Sequence, residues 1–196
     1  GRLLALEGSS ARELTAVDVL FPVLHGLNGE DGSIQGLAQI VGLPLVGCGI
    51  LGSANAIDKD MAERLLREAG LPVARSVTLV RGDKPDFDEI VSALGSPVFV
   101  KPTRQGSSVG VSKVQDAAAF ETALAEAFRH DRKVLVEEFV RAREIECAVL
   151  EEPDGTLFVS VPGEIATAAT HGFYSYEAKY LDQNGAVVTV PADIPA

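Results

Sequence analysis

The sequence predicts an α/β protein whose second part is of the α+β kind, and three observations favour this class. A continuous apolar run, Val17 to Leu24, precedes a helical stripe and a second short apolar run, which is the order of a β-α-β unit with a parallel sheet. Farther along, valine-rich runs alternate with amphipathic segments, as strands and helices do. The length of 196 residues suits one large domain or parts of two.

The first predicted domain covers residues 1–57 and contains the β-α-β unit. Val17 to Leu24 has the unbroken apolar character of a strand that is buried on both faces. Ser33 to Val41 carries apolar residues at a helical spacing, and a Gly-Leu-Pro sequence ends it. Leu43 to Val46 is predicted to be the second strand. His25 follows the first strand at the carboxyl end, where open α/β sheets bind ligands.

The second predicted domain covers residues 58–196. Apolar stripes with a capping residue or a terminal glycine predict helices at residues 60–69, 86–94 and 116–130. Valine-rich runs bounded by turns predict extended segments at residues 73–80, 97–101, 109–114, 134–140, 145–150 and 157–161. Residues 162–180 have no clean period, and we expect a long functional loop there.

The composition excludes several classes of partner. A formal net charge of -11 argues against nucleic acid and against an anionic membrane surface. No apolar run approaches the roughly 18 residues of a membrane span, and no signal peptide is visible, so we expect a cytoplasmic protein. Both ends of the chain read as cut from a longer sequence, because it starts at Gly1 without a methionine and stops at Ala196.

The two cysteines, Cys48 and Cys147, are isolated in apolar contexts. Their spacing matches neither a metal site nor a disulfide framework. We therefore expect both to be buried as small hydrophobic side chains.

Residues 97–114, PVFVKPTRQGSSVGVSKV, predict a strand, a glycine-rich loop and a second strand. A loop of Gly106, Ser107, Ser108 and Gly110 can lay backbone N–H groups and hydroxyls against phosphate oxygens. Lys101 at its edge supplies a positive charge. The segment lacks the order of a P-loop and continues into a strand instead of a helix. A phosphate-covering hairpin is the functional interpretation, and an ordinary mobile hairpin is the alternative.

Residues 25–36 read HGLNGEDGSIQG. With the hairpin that carries Lys101 and with FYSYEAKY at residues 173–180, this motif resembles the D-alanine–D-alanine ligase family of the ATP-grasp superfamily. The pattern HGxxGEDGxxQG has no mismatch here, and the resemblance runs in order over nearly the whole chain. It implies a partial N-terminal parallel α/β domain, followed by an ATP-grasp domain that lacks its C-terminal part.

The resemblance implies that the chain binds ATP. Two lysines contact the phosphates in the family, and the serine amides of the glycine-rich loop cover them. An edge strand that leads into a linker exposes backbone groups to the adenine, and a glutamate accepts from the ribose hydroxyls. Without the family, Lys59 would be a solvated helix lysine and Glu137 part of an exposed strand face. The implied ATP-binding residues are Lys59, Lys101, Ser107, Ser108, Glu137, Phe139, Val140, Glu144 and Lys179.

The resemblance also implies four catalytic residues, His25, Glu30, Ser107 and Tyr180. The first two would orient the amino acid that binds first, although glycine-rich turn chemistry is the alternative for this segment. Ser107 would approach the substrate and bond Tyr180 from the long loop. Four other residues are assigned to structure or solvent: Asp31 to the turn, Tyr174 and Tyr176 to packing, and His171 to solvent exposure.

The implied reaction joins two D-alanine molecules with ATP, through a D-alanyl phosphate, for peptidoglycan precursor synthesis. It needs Mg²⁺ or Mn²⁺ to neutralise phosphate charge. The family's metal ligands lie downstream of the long loop, so we assign no metal site within residues 1–196 and expect the ligands beyond Ala196. This chain alone is therefore expected to be inactive, and the family is commonly dimeric when full length.

Two other functions stay open. One is a different ATP-grasp carboxylate–amine ligase, against which the motifs HGLNGEDGSIQG and FYSYEAKY argue. The other is a non-catalytic nucleotide-binding module, which the missing metal ligands would suit. An aspartate followed by a Glu-x-Asn stretch past Ala196 would favour the enzyme, and a stop codon would favour the module.

Overall fold

The computed structural model describes residues 2–168 and 171–195. It contains mixed helices and sheets and two compact units, which we describe separately. One unit holds the residues up to Gly106 together with Gly110–Glu138, and the other holds Ser107–Val109 together with the residues from Phe139 onward. The domain boundary predicted at residue 57 stays a prediction.

The first unit begins with an antiparallel hairpin that the sequence analysis did not assign. It consists of β1 (Arg2–Glu7) and β2 (Ser10–Ala16). Gly8 in the turn has a φ of 64°, a conformation that glycine adopts without strain. Every residue of β2 is exposed, so this strand contributes nothing to a core.

The strands predicted at residues 17–24 and 43–46 are not formed. The two segments meet only in one parallel bridge, between Leu20 and Leu45. Phe21 is 72% exposed, so the first segment is not buried on both faces. A buried parallel strand needs a neighbour on each side, and within residues 2–168 and 171–195 this segment has only the single bridge.

Three helices of the first unit begin at an aspartate cap, and the cap at Asp116 was predicted. Asp58, Asp86 and Asp116 each accept a hydrogen bond from a backbone N–H of the first turn that follows. One helix, ILGSANAI, was not predicted; it contains glycine and asparagine, which have low helix propensity. The helices are α1 (Ser33–Ile40), α2 (Ile50–Ile57), α3 (Lys59–Glu68), α4 (Phe87–Leu94) and α5 (Ala117–His130).

A four-stranded antiparallel sheet forms the centre of the first unit. Its strands are β3 (Ser76–Val80), β4 (Val98–Pro102), β5 (Ser112–Val114) and β6 (Lys133–Glu138), in the order β3-β6-β4-β5. The predicted hairpin around the glycine-rich loop is therefore formed by β4 and β5. However, β6 pairs on both sides, so the prediction that it is an edge strand is wrong. Its backbone groups are engaged in the two ladders.

The two faces of this sheet have different roles. One face packs on α4 and α5 around buried residues that include Val98, Phe120 and Val136. Because strand residues alternate between faces, Lys101, Lys133 and Glu137 lie on the other face. Helix α3 crosses that second face, where Asp60 bonds Thr78 and Glu63 bonds Ser76. The candidate site around Lys59 and Lys101 lies on this second face.

The second unit is smaller. Its strands are β7 (Glu144–Glu146), β8 (Val149–Glu151), β9 (Leu157–Val159), β10 (Gly163–Thr167) and β11 (Ala186–Thr189), with helix α6 (Tyr176–Tyr180). They form a sheet in the order β11-β10-β7 and a β8–β9 hairpin. The predicted loop at 162–180 is thus partly wrong, since it contains β10 and α6; residues 169–170 lie outside the described residues.

Both cysteines are exposed, so the prediction that they are buried is wrong. Cys48 follows the Leu20–Leu45 bridge and lines a surface cavity, where no element covers it. Cys147 lies between β7 and β8, two short strands whose residues are all exposed. An apolar sequence context did not reveal which elements were available to bury these thiols.

Candidate functional site

The glycine-rich loop leaves β4 and returns as β5 through left-handed backbone. Ser107 and Ser108 have φ angles of 53° and 59°, which cost roughly 1–3 kcal/mol each for residues other than glycine. At Gly110, φ is 68°, and an added Cβ would lie 2.7 Å from His130 Cδ2. Left-handed residues in a turn can direct backbone N–H groups into an anion-binding concavity. The loop therefore has the backbone of a phosphate-covering segment.

The start of the loop is fixed by the buried carboxylate of Asp131, whose side chain is 1% exposed. Thr103 Oγ1 and Arg104 N each donate to Asp131 Oδ2 at 3.0 Å, and the Arg104 guanidinium also donates to this carboxylate. Burial raises the pKa of Asp131, but the hydrogen bonds from Arg104, the Lys133 N–H and Thr103 outweigh it and bring the pKa to about 2. The carboxylate thus stays ionised and holds the loop.

Lys59, the first residue of α3, is joined to the same segment. Its Nζ donates to Gln105 O at 2.6 Å, and its backbone N–H donates to Thr103 O at 3.0 Å. Gln105 Nε2 in turn donates to His130 O at 3.1 Å. Burial lowers the pKa of Lys59, and the positive charge of Lys101 lowers it further. Two ammonium groups near each other create a place where an anion is favourable.

Lys101 lies on β4 and forms an ion pair with Glu137 on β6. Its Nζ is 2.6 Å from Glu137 Oε2, and each of the two side chains is 18% exposed. Glu138, the next residue, points to the other side and pairs with Arg75 at 2.6 Å. An ammonium has three donors, so Lys101 keeps hydrogen-bonding capacity for a ligand.

The segment His25 to Gly36 lies beside the start of the glycine-rich loop. A Cβ at Gly106 would be 3.7 Å from Glu30 Oε2, and Glu30 accepts a hydrogen bond from the Gly26 N–H. His25 is exposed. A cavity of about 340 Å³ adjoins Glu30 and is lined mainly by small and apolar residues of this segment and of α2. Its volume and its one carboxylate suit a small molecule that carries an ammonium group.

Asp31 stabilises the turn of this segment. Its carboxylate accepts from Asn28 N at 2.9 Å and from Ser33 N at 3.0 Å. The Asn28 hydrogen bond is the main cause that lowers the pKa of Asp31. These contacts are consistent with the structural role predicted for Asp31.

In the second unit, the tyrosine segment is attached to both serines. Ser107 Oγ and Tyr180 OH are 2.7 Å apart, which is the hydrogen bond that the resemblance implied. Ser108 Oγ donates to Tyr174 O at 2.9 Å, and the Tyr176 and Tyr180 rings are 5.0 Å apart. Lys179 Nζ lies 4.7 Å from the Tyr174 ring centroid. The catalytic role of Ser107 and Tyr180 stays a prediction.

The residues predicted for the nucleoside end also lie in this unit, apart from Glu137. Glu144 lies on β7; burial raises its pKa, and Lys179 acts in the opposite direction. Phe139 is partly buried and Val140 is exposed. His171 is only 20% exposed and pairs with Asp182 at 2.7 Å, so the prediction that it faces solvent is wrong.

Comparison with known proteins decides the family. The family model "D-ala D-ala ligase C-terminus" matches residues 65–196, and "D-ala D-ala ligase N-terminus" matches residues 4–48. The chain belongs to the D-alanine–D-alanine ligase family. The predicted resemblance is thereby confirmed.

Relatives within the ligase family cover the whole chain. D-alanine–D-alanine ligase A of Mesorhizobium japonicum is 62% identical over 196 residues, which are 100% of this chain and 55% of that protein. The ligase A of Brucella suis is 54% identical over 100% of this chain and 56% of that protein. The chain therefore spans about half the length of the curated relatives it matches.

Solved structures of ligases share the fold. The VanG D-Ala:D-Ser ligase from Enterococcus faecalis matches with a TM-score of 0.80 and 40% identity, over 95% of this chain and 54% of that chain. D-alanyl-alanine synthetase A from Vibrio cholerae matches with a TM-score of 0.80 and 33% identity, over 100% and 60%. The predicted fold, a partial α/β domain followed by part of an ATP-grasp domain, is confirmed.

The ligase family uses ATP. Among the residues that the structure describes, no group of three or more His, Cys, Asp and Glu side chains is arranged to hold a metal ion. The carboxylates near the two lysines are already paired with cations or hydroxyls. They do not fit a metal site.

Three residues that shape the candidate site were not predicted from the sequence. Asp131 and Gln105 hold the glycine-rich loop and Lys59, and no local pattern indicates that they do so. Glu63 lies near Glu137, and its position in the sequence could have indicated that it belongs to the site. It follows Lys59 by four positions, which places both side chains on one face of α3.

Proposed function

We propose that the complete protein is an ATP-dependent D-alanine–D-alanine ligase that makes the dipeptide for peptidoglycan precursors through a D-alanyl phosphate. The observation that carries this proposal is the pair of lysines, Lys59 and Lys101, placed at a glycine-rich loop in a chain of this family. The two curated relatives named above are D-alanine–D-alanine ligases.

The lysines supply the phosphate end of the proposed site. Burial is the main cause that lowers the pKa of Lys59, and the charge of Lys101 lowers it further; a polyphosphate would offset the repulsion between the two ammonium groups. The amides of Ser107 and Ser108 would cover the phosphates. Glu137, Phe139 and Val140 are proposed for the adenine, Glu144 for the ribose hydroxyls, and Lys179 for the nucleotide.

In the proposed reaction, one D-alanine carboxylate oxygen attacks the γ-phosphorus, and the bond from that phosphorus to ADP breaks. The amine of a second D-alanine then attacks the acyl carbonyl, and phosphate leaves. His25 and Glu30 orient the first D-alanine, and Ser107 with Tyr180 closes on the substrate. The protein contributes positioning and charge stabilisation. Mg²⁺ or Mn²⁺ would neutralise phosphate charge when bound, and no step is assigned to it because the described residues do not fit it.

Product formation tests the proposal. The complete protein with ATP, Mg²⁺ and D-alanine should release D-alanyl-D-alanine and ADP in equal amounts. The 196-residue chain alone should form no dipeptide above background, because its described residues contain no set of metal ligands. Dipeptide formed by the short chain would show that these residues suffice, and no dipeptide from the complete protein would reject the ligase assignment.

A nucleotide-binding module without chemistry is the second candidate. The lack of a metal-ligand set among residues 2–168 and 171–195 favours it. ATP binding without ADP release in the presence of D-alanine would support the module. ATP-dependent dipeptide formation would exclude it.

The family also suggests a cytoplasmic location and a homodimer for the complete protein, which we include in the proposal. In the described part of the chain, no helix has both the length and the apolar character needed to cross a membrane. Light scattering of the complete protein tests the dimer.

Product choice provides a further prediction. D-lactate is an anion and D-alanine a zwitterion, so a cationic histidine in the tyrosine segment would favour lactate. Tyr180 is instead a neutral residue bonded to Ser107 at 2.7 Å. With D-alanine and excess D-lactate between about pH 6 and 9, where a histidine would titrate, we expect mostly dipeptide. Both products would be quantified by mass spectrometry.

Matched variants make this experiment specific. Tyr180→Phe keeps the ring but removes the hydroxyl that meets Ser107, and we expect it to lower the dipeptide rate. Tyr176→Phe is the control for the loss of a tyrosine hydroxyl in this segment. The Tyr176 ring packs on the Tyr180 ring, with the two ring centroids 5.0 Å apart. Depsipeptide as the main product of the unmodified protein at neutral pH would contradict the role given to Tyr180.

A further inference from the structure

Arg143 is the last residue of the linker that leads into β7, and Glu144 follows it directly. Its guanidinium binds the Glu164 carboxylate of β10 at two points: Nε donates to Oε1 at 2.6 Å, and Nη2 donates to Oε2 at 2.5 Å. Its Nη1 donates to Asp193 O at 2.8 Å. One side chain therefore joins the linker to β10 and to the segment that follows β11.

The ion pair of Arg143 with Glu164 has the geometry of a strong one, although it lies at the surface. Most exposed ion pairs contribute little, because water screens them and two long side chains lose freedom. Here the planar guanidinium meets the carboxylate through two hydrogen bonds, and the Glu164 side chain is 22% exposed. The third hydrogen bond reaches a backbone carbonyl 50 residues along the chain. These three directed contacts hold the guanidinium in one orientation.

The linker before β7 depends on this side chain for its attachment. Within the described part of the chain, the backbone groups of residues 140–143 form no hydrogen bond. Val140 and Arg141 are exposed, so packing holds the linker little. The β7–β10 ladder begins at Glu144, which is opposite Ile165. Glu144 is thus the first residue of a short strand, and its orientation depends on how the residue before it is held.

The ion pair and Glu144 lie on opposite faces of the β11-β10-β7 sheet. In the β7–β10 ladder, Glu164 is opposite Ile145, and Ile165 is opposite Glu144. Side chains that are directly opposite share a face, and successive residues alternate between faces. Arg143 therefore holds the backbone from the face of Glu164, while the Glu144 carboxylate projects from the other face. Arg143 is not placed to contact a ligand that Glu144 binds.

We propose that Arg143 is a positioning residue for ribose recognition: its two-point contact with Glu164 fixes the start of β7, so that the Glu144 carboxylate faces the ribose hydroxyls. A carboxylate can accept from both hydroxyls of a diol, provided that it is held facing them. Without Arg143 the linker can move, and ordering Glu144 again costs binding free energy. The inference deepens the proposed function and rests on it, because it assumes that Glu144 binds the ribose.

The test compares two nucleotides in the complete protein. Titration calorimetry without D-alanine gives the dissociation constants of ATP and of dideoxy-ATP, which lacks both ribose hydroxyls. The ratio of the second constant to the first measures ribose recognition, because the phosphates and the adenine are common to both nucleotides. In the unmodified protein we expect a ratio of roughly 10 to 100, as for hydrogen bonds to a charged group. Glu144→Ala gives the ratio that remains without the carboxylate.

Arg143→Ala should lower the ratio to nearly that of Glu144→Ala, by weakening ATP more than dideoxy-ATP. Arg143→Lys keeps the charge but cannot bind the carboxylate at two points, so its ratio should be intermediate. The double variant, Arg143→Ala with Glu144→Ala, should have the ratio of Glu144→Ala alone, because both changes act through one carboxylate. Arg141→Ala removes an exposed arginine from the same linker and is the control; it should keep the ratio of the unmodified protein.

Two kinds of result would overturn the inference. If Arg143→Ala keeps the ratio of the unmodified protein while Glu144→Ala lowers it, Arg143 serves only the fold of this unit, and the proposed function stands. If the unmodified protein binds the two nucleotides equally, or binds neither, the ribose role of Glu144 or the nucleotide site itself fails, and this inference fails with it. Arg143→Lys decides between these outcomes by the same ratio even if Arg143→Ala does not fold.

Discussion

Lys101→Ala raises the ATP dissociation constant, or the KM for ATP, roughly 10- to 100-fold, because a charge-assisted contact is worth about 1.5–3 kcal/mol. The structure adds a second reason for a large effect. Lys101 is the cation that pairs with Glu137 at 2.6 Å, and both side chains are only 18% exposed. Its removal leaves the Glu137 carboxylate without this cation, next to incoming phosphates.

The control for this variant is Lys84→Ala. Lys84 is exposed in the polar connection between β3 and α4, so its loss should change ATP affinity little. Titration calorimetry of the complete protein measures both, and thermal unfolding checks that each variant is folded. Equal effects at the two positions would mean that the phosphate site has been placed wrongly.

Asp131→Asn lowers the free energy of unfolding by roughly 1–3 kcal/mol at neutral pH, because it leaves buried hydrogen-bond donors unsatisfied and weakens the contact with Arg104, whose side chain is 38% exposed. The side chain of Asp131 is 1% exposed, and its oxygens accept from Thr103, Arg104 and the Lys133 N–H. An amide in place of the carboxylate cannot accept all of these bonds, and it carries no charge. Gln105 directly follows Thr103 and Arg104, which Asp131 holds, and its carbonyl accepts from Lys59. ATP affinity should therefore fall as well.

The pH dependence of this effect has a definite sign. The pKa of Asp131 falls from its ordinary 3.8 to about 2 on folding. A lowered pKa stabilises the folded protein above the ordinary value, and that stabilisation is lost as the pH falls through 3.8 toward 2. Urea unfolding at neutral and acidic pH should therefore show a smaller difference between the two proteins in acid.

Asp18→Asn is the matched control, since Asp18 is exposed in the segment before the Leu20–Leu45 bridge. It should leave both the unfolding free energy and ATP affinity nearly unchanged. A destabilisation by Asp131→Asn as small as that of Asp18→Asn would mean that the carboxylate does not anchor the loop.

Much of the fold was predictable because its signals are local. The aspartates at positions 58, 86 and 116 cap helices with side chains that reach the next turn, and such contacts depend on neighbours in sequence. The hairpin of β4 and β5 follows from two valine-rich runs around glycines. The family was predictable for the same reason, since HGLNGEDGSIQG and FYSYEAKY are contiguous motifs.

The sequence by itself determined the family, the cap at Asp116, most helices and the choice of Lys59 and Lys101 as candidate phosphate ligands. Only the tertiary structure decided that β6 is central and that the segments around Leu20 and Leu45 meet in a single parallel bridge instead of forming two strands. It also decided that Asp131 reaches Thr103 and that Glu63 reaches Ser76. The physical reason is that capping and strand propensity act between near neighbours, whereas burial, strand order and carboxyl pairing depend on which distant elements pack together.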